Sequence, residues 1–478
     1  MTTAPSHSGG TFVNAGGLYL PNVVNPLNAA ADLTVNGGTL DFGGALQTNS
    51  ASVVIRGGTI QNGTVYKTVS DYAAEGGTLS STATLHGNVG LVKTGAATLS
   101  VSKTSYTGTT TVLEGRMDRP SGSTSLKGNL IVGSPDGKFP ASYGTPSNGN
   151  GNPDNKNVTV YPNGSYYQGD YPGINDLTVY GGDVDGSWYD IGGVIRMTGG
   201  SLLRGPITGN NAALYTYASS NTAVISAEKR WGLYMGSDPF YSVEDGAAVI
   251  DLKVTGGIVN ETTTRPTSKT GAGVMQITSS TTFNEKNFNV NAGTVLLDNA
   301  TGSGSGKATV VVAGGATLGG TGFIGGVAGY AKADVTVSGA SGNEALIAPG
   351  TLNPVTGDHV IGTLTVGSLT AQTNNVTFGA YSRLVINVAT NGSCDRLVVN
   401  GTLSLATATD TLEFNAAGGG TPPAGTYNLV TFQQLAGAGQ VFDTVTGLPE
   451  RCTLVYTPTG IDLIATAVPP KGTIIRIL

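Results

Sequence analysis

Short runs of alternating apolar and polar residues fill most of this chain, and glycine pairs or Asn/Ala-Gly steps separate the runs. The stretch from Lys269 to Gly326 shows the pattern most clearly, with runs of Val, Ile, Leu, Phe and Thr between the breaks. Alternation places every second side chain on one face of a strand. Frequent breaks end each strand after a few residues. We therefore predict an all-β fold made of many short strands.

The glycine pairs carry apolar residues at fixed offsets. Around Gly37-Gly38, Leu33 and Val35 precede the pair by four and two residues, and Leu40 follows the first glycine by three. The same offsets recur at the pairs that begin at Gly57, Gly181, Gly199 and Gly256, and at Ala292-Gly293. A period near twenty residues with constant internal offsets is typical of a solenoid, in which stacked coils bury a common core.

This register predicts which residues line the core. We expect the residues four positions before each pair to point inward and stack along one wall: Leu33, Val53, Leu177, Ile195 and Leu252. The glycines allow a positive φ and a change of direction between strands.

Two segments begin with Lys-Thr-Gly, at Lys93 and Lys269, and the second continues to Asn289-Val290-Asn291-Ala292-Gly293-Thr294-Val295. These segments, with Gly315-Ala316-Thr317-Leu318-Gly319-Gly320, resemble the autotransporter-associated β-strand repeat of bacterial surface and secreted proteins. Thr282-Phe283-Asn284 departs from the usual Asn-Thr-Tyr middle of that repeat. The resemblance covers scattered blocks from Gly90 to Ala465. It implies a right-handed parallel β-solenoid and an extracellular or cell-surface location, but no particular activity.

Composition shifts divide the chain into five predicted parts. Coils fill 1–115, a loop-rich insertion rich in Asn, Pro, Gly and Tyr fills 116–176, and a central solenoid with the repeat fills 177–326. A β-rich cap follows at 327–467, and 468–478 is a terminal strand behind two prolines.

The net charge, the hydropathy and the N-terminal residues exclude several classes of partner and segment. The net charge of −6 argues against nucleic acid, which requires a basic surface. No run is long and apolar enough for a transmembrane helix. Residues 1–22 have neither a basic start nor a continuous apolar run. Residues 1–22 are therefore not expected to be a secretory signal. The resemblance implies export, so either the signal has been removed or export works differently.

Aromatic residues beside Asn and Asp are candidates for stacking on sugar rings: Tyr166, Tyr167, Trp188 and Tyr189. The alternative interpretation is that they anchor loops on the solenoid. Asp183 and Asp185 lie in an Asp-rich stretch, but the spacing of a calcium loop is missing, and turn-capping is the alternative that we favour.

The sequence shows no recognisable set of catalytic residues. The three histidines, His7, His86 and His359, are not near a nucleophile-elbow motif, and two cysteines cannot form a thiolate metal cluster. A shift of 18 residues from Asp183 and Asp185 gives Ser201 and Leu203, so no acidic ladder forms there. We expect neither a cofactor nor a bound metal.

Two features near the C-terminus carry hypotheses. Cys394 stands as an insertion relative to the family pattern, and it either pairs with Cys452 in a disulfide across the cap or is one of two unrelated thiols. The run containing Ile474, Ile475, Ile477 and Leu478 either folds over the last coil or adds as a strand to another copy.

These observations predict a non-catalytic extracellular structural protein that serves in display, adhesion or assembly into a filament or surface layer, and that associates with itself. A β-helical polysaccharide lyase or glycosidase is the alternative from the enzyme class, and a carboxylate-lined groove with Arg or Lys on adjacent coils would favour it. A glycan-binding adhesin is the second alternative.

Overall fold

A computed structural model of the chain describes residues 7–120, 122–144, 155–169, 173–186, 189–205, 207–208, 213–226, 229–231, 240–260, 265–280, 283–284, 286–327, 333–370, 373–406, 408–417 and 421–467. Strands, turns and bends make up this part of the chain, and no α-helix occurs in it. It divides into two compact units, Met1–Ser237 and Asp238–Leu478. No helix in the described residues is long and apolar enough to cross a membrane.

The first unit consists of short strands joined by turns. In chain order they are β1 Thr11–Val13, β2 Gly17–Tyr19, β3 Leu33–Val35, β4 Thr39–Thr48, β5 Val53–Ile55, β6 Thr59–Lys67, β7 Tyr72–Ala74, β8 Gly77–Leu79, β9 Ala83–Gly87, β10 Leu91–Lys93, β11 Thr98–Val101, β12 Thr104–Tyr106, β13 Thr110–Val112, β14 Gly115–Asp118, β15 Leu130–Val132, β16 Ala141–Gly144, β17 Val158–Val160, β18 Gly164–Gln168, β19 Leu177–Val179, β20 Asp183–Gly186, β21 Tyr189–Asp190, β22 Ile195–Met197, β23 Ser201–Leu202, β24 Ile207–Thr208, β25 Ala213–Thr216, β26 Ala223–Ile225 and β27 Lys229–Trp231.

The second unit is built in the same way and ends in longer strands. They are β28 Phe240–Val243, β29 Leu252–Val254, β30 Ile258–Asn260, β31 Thr267–Thr270, β32 Val274–Ile277, β33 Phe283–Asn284, β34 Phe288–Val290, β35 Gly293–Leu297, β36 Val310–Ala313, β37 Ala316–Gly320, β38 Phe323–Ile324, β39 Val335–Ser338, β40 Ala345–Pro349, β41 Thr351–Leu352, β42 His359–Val360, β43 Thr363–Val366, β44 Val376–Phe378, β45 Ser382–Ala389, β46 Arg396–Ser404, β47 Asp410–Ala417, β48 Gly425–Leu435, β49 Thr444–Thr446, β50 Cys452–Thr457 and β51 Gly460–Ala465.

Successive coils stack in parallel register. In the first unit one sheet, here called the A sheet, pairs β1 with β3, β3 with β5 and so on to β25, while a B sheet pairs β2, β4, β6, β8, β11, β14, β16, β18, β20, β23 and β26. Along a typical strand such as β19 the outer two residues are buried and the middle one is half-buried. This confirms the predicted parallel β-solenoid, because single coils bury their apolar face only by stacking.

The glycine pairs turn the chain from one sheet to the other, as predicted. Gly38 has φ 67° and Gly58 has φ 69°, and a Cβ built on Gly58 would lie 2.4 Å from the Gly38 carbonyl oxygen. Only a residue without a side chain fits where successive coils approach this closely. The predicted core residues Leu33, Val53 and Ile195 are at most 2% exposed.

One part of the predicted register is wrong. Leu252 is fully buried, but its strand β29 pairs with β32, which places Leu252 opposite Met275 and, one coil further, Val295. Val295 follows its Ala-Gly step by three residues, so Leu252 lies in the column of the residues after the turn. The wall predicted from Leu177 and Ile195 therefore does not include it.

The region expected to be a loop-rich insertion, 116–176, contains coils as well as loops. Strands β15 to β18 lie within it and pair in parallel, with Leu130 opposite Val158 and Tyr143 opposite Tyr166. The Asn-, Pro- and Gly-rich composition belongs to longer connections between these short strands, so it did not reveal them.

The lysine of each Lys-Thr-Gly segment points into the core and caps a turn. Lys269 Nζ donates to the carbonyl oxygens of Gly271, Gly273 and Ala292 at 2.5–2.7 Å. Lys93 Nζ likewise donates to three carbonyl oxygens, those of Thr94, Gly95 and Glu114. Burial lowers the pKa of Lys269 to about 8. These lysines are structural parts of the coil.

The second unit ends in antiparallel strands that form a cap. Strand β48 pairs in parallel with β46 on one side and antiparallel with β51 on the other, and β51 continues antiparallel to β50. A change to antiparallel pairing ends the repetition of coils and covers the last of them.

Candidate functional site

The two adjacent tyrosines predicted to bind glycans point to opposite sides of strand β18. Tyr166 is fully buried, and its ring centroid lies 6.0 Å from that of Tyr143 in the core. Tyr166 is therefore unavailable for stacking on a sugar, and its assignment as a ligand-binding residue is wrong. Tyr167 is half-buried and lies on the outer face of the B sheet.

The other predicted site residues lie within or next to segments outside the described residues. Tyr189 belongs to β21, which pairs with β24, and Trp188 lies outside the described residues. The predicted assembly residues Ile474, Ile475, Ile477 and Leu478 also lie outside the described part of the chain.

Tyr167 lines an open groove of about 660 Å³ on the outer face of the first unit. Strand pairing builds this groove from one outward row: Ser100 lies opposite Asp118, Asp118 opposite Gly144, Gly144 opposite Tyr167, and Tyr167 opposite Asp185. Gly144 leaves a gap in the row, because Arg116 Nη2 and Tyr167 Cβ each lie 3.7 Å from the position that a Cβ would take there. The Gly144 backbone itself is buried.

The charged side chains of the groove form ion pairs. Arg116 Nε donates to Asp118 Oδ1 at 2.5 Å, and Arg204 Nε donates to Asp185 Oδ1 at 3.0 Å. Arg204 also donates from Nη2 to Asp185 Oδ2. The Arg204 hydrogen bonds hold the pKa of Asp185 below its ordinary value. The Asp185 carboxylate therefore stays ionised and paired at neutral pH.

This geometry does not suit glycoside hydrolysis. Glycosidases hold two carboxyl groups roughly 5–10 Å apart and raise the pKa of the general acid. The backbones of Asp118 and Asp185 are three strand spacings apart, about 14 Å, with Gly144 and Tyr167 between them. The pKa of Asp185 is lowered rather than raised. The lining of the groove therefore lacks the acid–base pair of a glycosidase.

Metal binding finds little support in the described residues. They contain no group of three or more His, Cys, Asp or Glu that could hold a metal ion. Asp183 is exposed on β20, opposite Ser201 on β23, as the shift of 18 residues predicts.

A histidine–aspartate pair in the second unit was not recognised from the sequence. His359 Nε2 lies 2.9 Å from Asp395 Oδ2, and Asp395 also accepts bonds from the backbone N–H groups of Gly362 and Asn387. Within the described residues, Asp395 is the hydrogen-bonding partner of the His359 ring, and no hydroxyl or thiol joins it there. The pair fastens the hairpin of β41 and β42 to the turn between β45 and β46, and within the described residues it does not form a catalytic triad.

The predicted disulfide is not formed in the structure. Cys394 is a half-buried free thiol and Cys452 is a buried free thiol on β50. Burial raises the pKa of both thiols. Cys394 and Cys452 therefore match the alternative prediction of two separate thiols.

Sequence reasoning identified Tyr167 but missed the rest of its groove. Ser100, Asp118 and Gly144 come from coils that are 18, 26 and 23 residues apart along the row up to Tyr167. A single fixed period does not align them. The apolar–polar pattern of the strand in each of the four coils could have aligned these residues.

Comparisons with known proteins give no family for this chain. No protein-family model matches it, and a search of the curated proteins finds no match.

Proposed function

We propose that this chain is a non-catalytic structural protein of the bacterial cell surface or extracellular space. The observation that carries the proposal is that charged side chains of the solenoid bind other groups of the solenoid itself. The inward lysines Lys93 and Lys269 cap turns, and the groove carboxylates Asp118 and Asp185 are held by arginines. Such groups stabilise and shape a scaffold. The resemblance to the surface-protein repeat supports the location.

The structural role includes association of copies into a filament or surface layer. Purified full-length chain should form ordered polymers in negative-stain micrographs, and sedimentation should show species larger than the monomer. A chain that stays monomeric at high concentration would contradict assembly and would favour a monomeric display or adhesion role.

Glycan binding by the Tyr167 groove is the second candidate function. The observation that favours it is a half-buried aromatic ring on an open groove, beside the gap at Gly144 and the ion-paired Arg116 and Asp118. Rings beside polar groups suit sugars, which have apolar faces and hydroxyl edges.

A glycan array tests this second function. Wild-type protein should bind a defined set of glycans, and Tyr167→Ala should lose that binding. Tyr180→Ala is the matched control, because Tyr180 is 40% exposed and stacks on Tyr161 at 5.2 Å between ring centroids, outside the groove. Equal binding by the wild type and Tyr167→Ala would contradict the assignment.

A further inference from the structure

The outward row that contains Tyr167 continues beyond its groove to the first coils. Ser100 lies opposite Thr78, Thr78 opposite Thr59, Thr59 opposite Thr39, and Thr39 opposite Gly17. Each of these threonines and Ser100 is half-buried on the outer face of the B sheet. The row therefore carries a hydroxyl on each of four successive strands between Gly17 and Asp118.

An exposed tyrosine lies beside the far end of this row. Tyr19 is 73% exposed and lies opposite Asp41, two residues along β2 from Gly17. A Cβ on Gly17 would meet Tyr19 Cε2 at 2.5 Å, so the ring lies next to the first position of the row, which stays exposed. A larger residue at position 17 would displace it.

Tyr19 also borders a second groove, of about 780 Å³, with a polar floor. Asp41 accepts hydrogen bonds from Gln61 Nε2 and Asn62 Nδ2, each at 2.8 Å, and from the Gly43 backbone N–H. These bonds, that of Gln61 foremost, lower the pKa of Asp41. The hydroxyl-bearing residues Thr64, Thr82 and Thr84 complete the lining.

The two grooves are therefore ends of one surface. Seven strand spacings separate β2 from β18, which places the Tyr19 and Tyr167 positions about 34 Å apart. The hydroxyl row runs between them along the same face of the same sheet.

We propose that this surface, from Tyr19 through Thr39, Thr59, Thr78 and Ser100 to Tyr167, is a binding track for a linear neutral polysaccharide. The proposal rests on the second candidate function and extends it from one groove to the whole face of the first unit. The tyrosines stack on sugar rings at the two ends. The threonine and serine hydroxyls exchange hydrogen bonds with sugar hydroxyls in between.

Charge selects a neutral chain over an acidic one. The hydroxyl row is uncharged, Asp41 is an ionised carboxylate bound by amides, and Arg116 is paired with Asp118. The whole chain carries a net charge of −6. An acidic polysaccharide would approach these carboxylates without an unpaired cation in the two groove linings to offset the repulsion.

Length dependence follows from the two-ended geometry. A chain that reaches both tyrosines gains the second contact at a high effective concentration, whereas a trisaccharide contacts one end only. The track therefore binds a long polymer much more tightly than it binds a short fragment of the same polymer.

Affinity gel electrophoresis of the full chain tests the track, with dextran, laminarin and hydroxyethyl cellulose as neutral probes and alginate as the acidic probe. Calorimetry with trisaccharides of the same three neutral types measures the short ligands. We expect retardation by at least one neutral polymer and a weaker effect of alginate. Tyr19→Ala should weaken polymer binding about tenfold or more, and trisaccharide binding at Tyr167 should stay as in the wild type.

The double variant Thr59→Val/Thr78→Val tests the hydroxyl row, because valine keeps the shape and the strand preference of threonine. It should weaken polymer binding as Tyr19→Ala does. Thr159→Val/Thr178→Val is the matched control, since these residues are half-buried, opposite each other, and lie on the A sheet. Melting curves of all variants establish that they are folded.

The possible outcomes distinguish binding along the whole track from binding at the Tyr167 groove alone. Polymer binding that is lost in Tyr167→Ala but unchanged in Tyr19→Ala and in the Thr59/Thr78 double variant would overturn the track and leave the Tyr167 groove. Preferential binding of alginate would overturn the neutral specificity. No binding of any polymer or trisaccharide by the wild type would overturn both the track and the second candidate function.

Discussion

Single residues at the turns determine how tightly the coils can stack. Lys93 and Lys269 each place an ammonium group among three turn carbonyls. Gly38 and Gly58 let the backbones of neighbouring coils approach where a side chain would collide. Both residue types serve the same purpose, because a turn carbonyl that faces the core needs a donor and a close turn needs space.

Replacement of the capping lysine should destabilise the second unit. Lys269→Met keeps the apolar stem but leaves the carbonyls of Gly271, Gly273 and Ala292 without the ammonium donor. We expect a loss of roughly 2 kcal/mol or more in the free energy of unfolding, measured by guanidinium titration. Lys253→Met is the control, because Lys253 is half-buried in the middle of β29. Equal losses in the two variants would show that the capping bonds contribute little.

Two separate glycines, Gly58 and Gly95, distinguish the cost of a clash between coils from the cost of a positive φ. Gly58 and Gly95 have φ 69° and 71°, but a Cβ on Gly58 would lie 2.4 Å from a carbonyl oxygen, whereas one on Gly95 would have its nearest neighbour at 3.5 Å. Gly95→Ala should cost about 1 kcal/mol for the positive φ alone. Gly58→Ala should cost clearly more in the same chemical denaturation experiment. Similar costs would mean that the coils separate easily at Gly58.

At the scale of elements, the cap contains a buried aspartate, Asp410, beside the exposed Asp443. Asp410, at the start of β47, is fully buried and accepts hydrogen bonds from the backbone N–H groups of Ala406 and Asp443 at 2.9 Å. Burial, and then the neighbouring Asp443 carboxylate, raise the pKa of Asp410 to about 6. Between the ordinary pKa of 3.8 and about 6, the folded cap therefore holds a proton that the unfolded chain has released.

This proton makes the stability of the cap depend on pH. Between the ordinary pKa of 3.8 and about 6, the folded chain binds more protons at Asp410 than the unfolded chain. Stability from this group is therefore highest below pH 4 and falls as pH rises to 6, by on the order of 2 kcal/mol. Asp410→Asn should remove the fall, and the exposed Asp358→Asn should retain it. Urea titrations across this pH range that show the same slope in both variants would contradict the assignment.

At the scale of the whole molecule, we propose that assembly depends on residues 468–478. The prediction that 468–478 adds to another copy concerns residues outside the described part of the chain. A chain that ends at residue 467 should melt like the full chain but form no polymers in negative-stain micrographs. Polymers as abundant as those of the full chain would place the assembly contact elsewhere.

The sequence by itself determined the all-β solenoid, because strand alternation and glycine breaks are local properties of the chain. It also marked the buried residues Leu33, Val53 and Ile195 and excluded an acidic ladder by placing Ser201 beside Asp183. These inferences needed only the pattern within one coil or between two coils of regular length.

Only the tertiary structure decided which residues of distant coils become neighbours. Connections of unequal length separate Ser100, Asp118, Gly144 and Tyr167, so parallel pairing rather than a constant period brings them into one row. The same pairing turned Tyr166 inward and Tyr167 outward, and it moved Leu252 to the column of Val295. A change of one residue in register reverses the face of a strand, and backbone pairing with adjacent coils fixes that register.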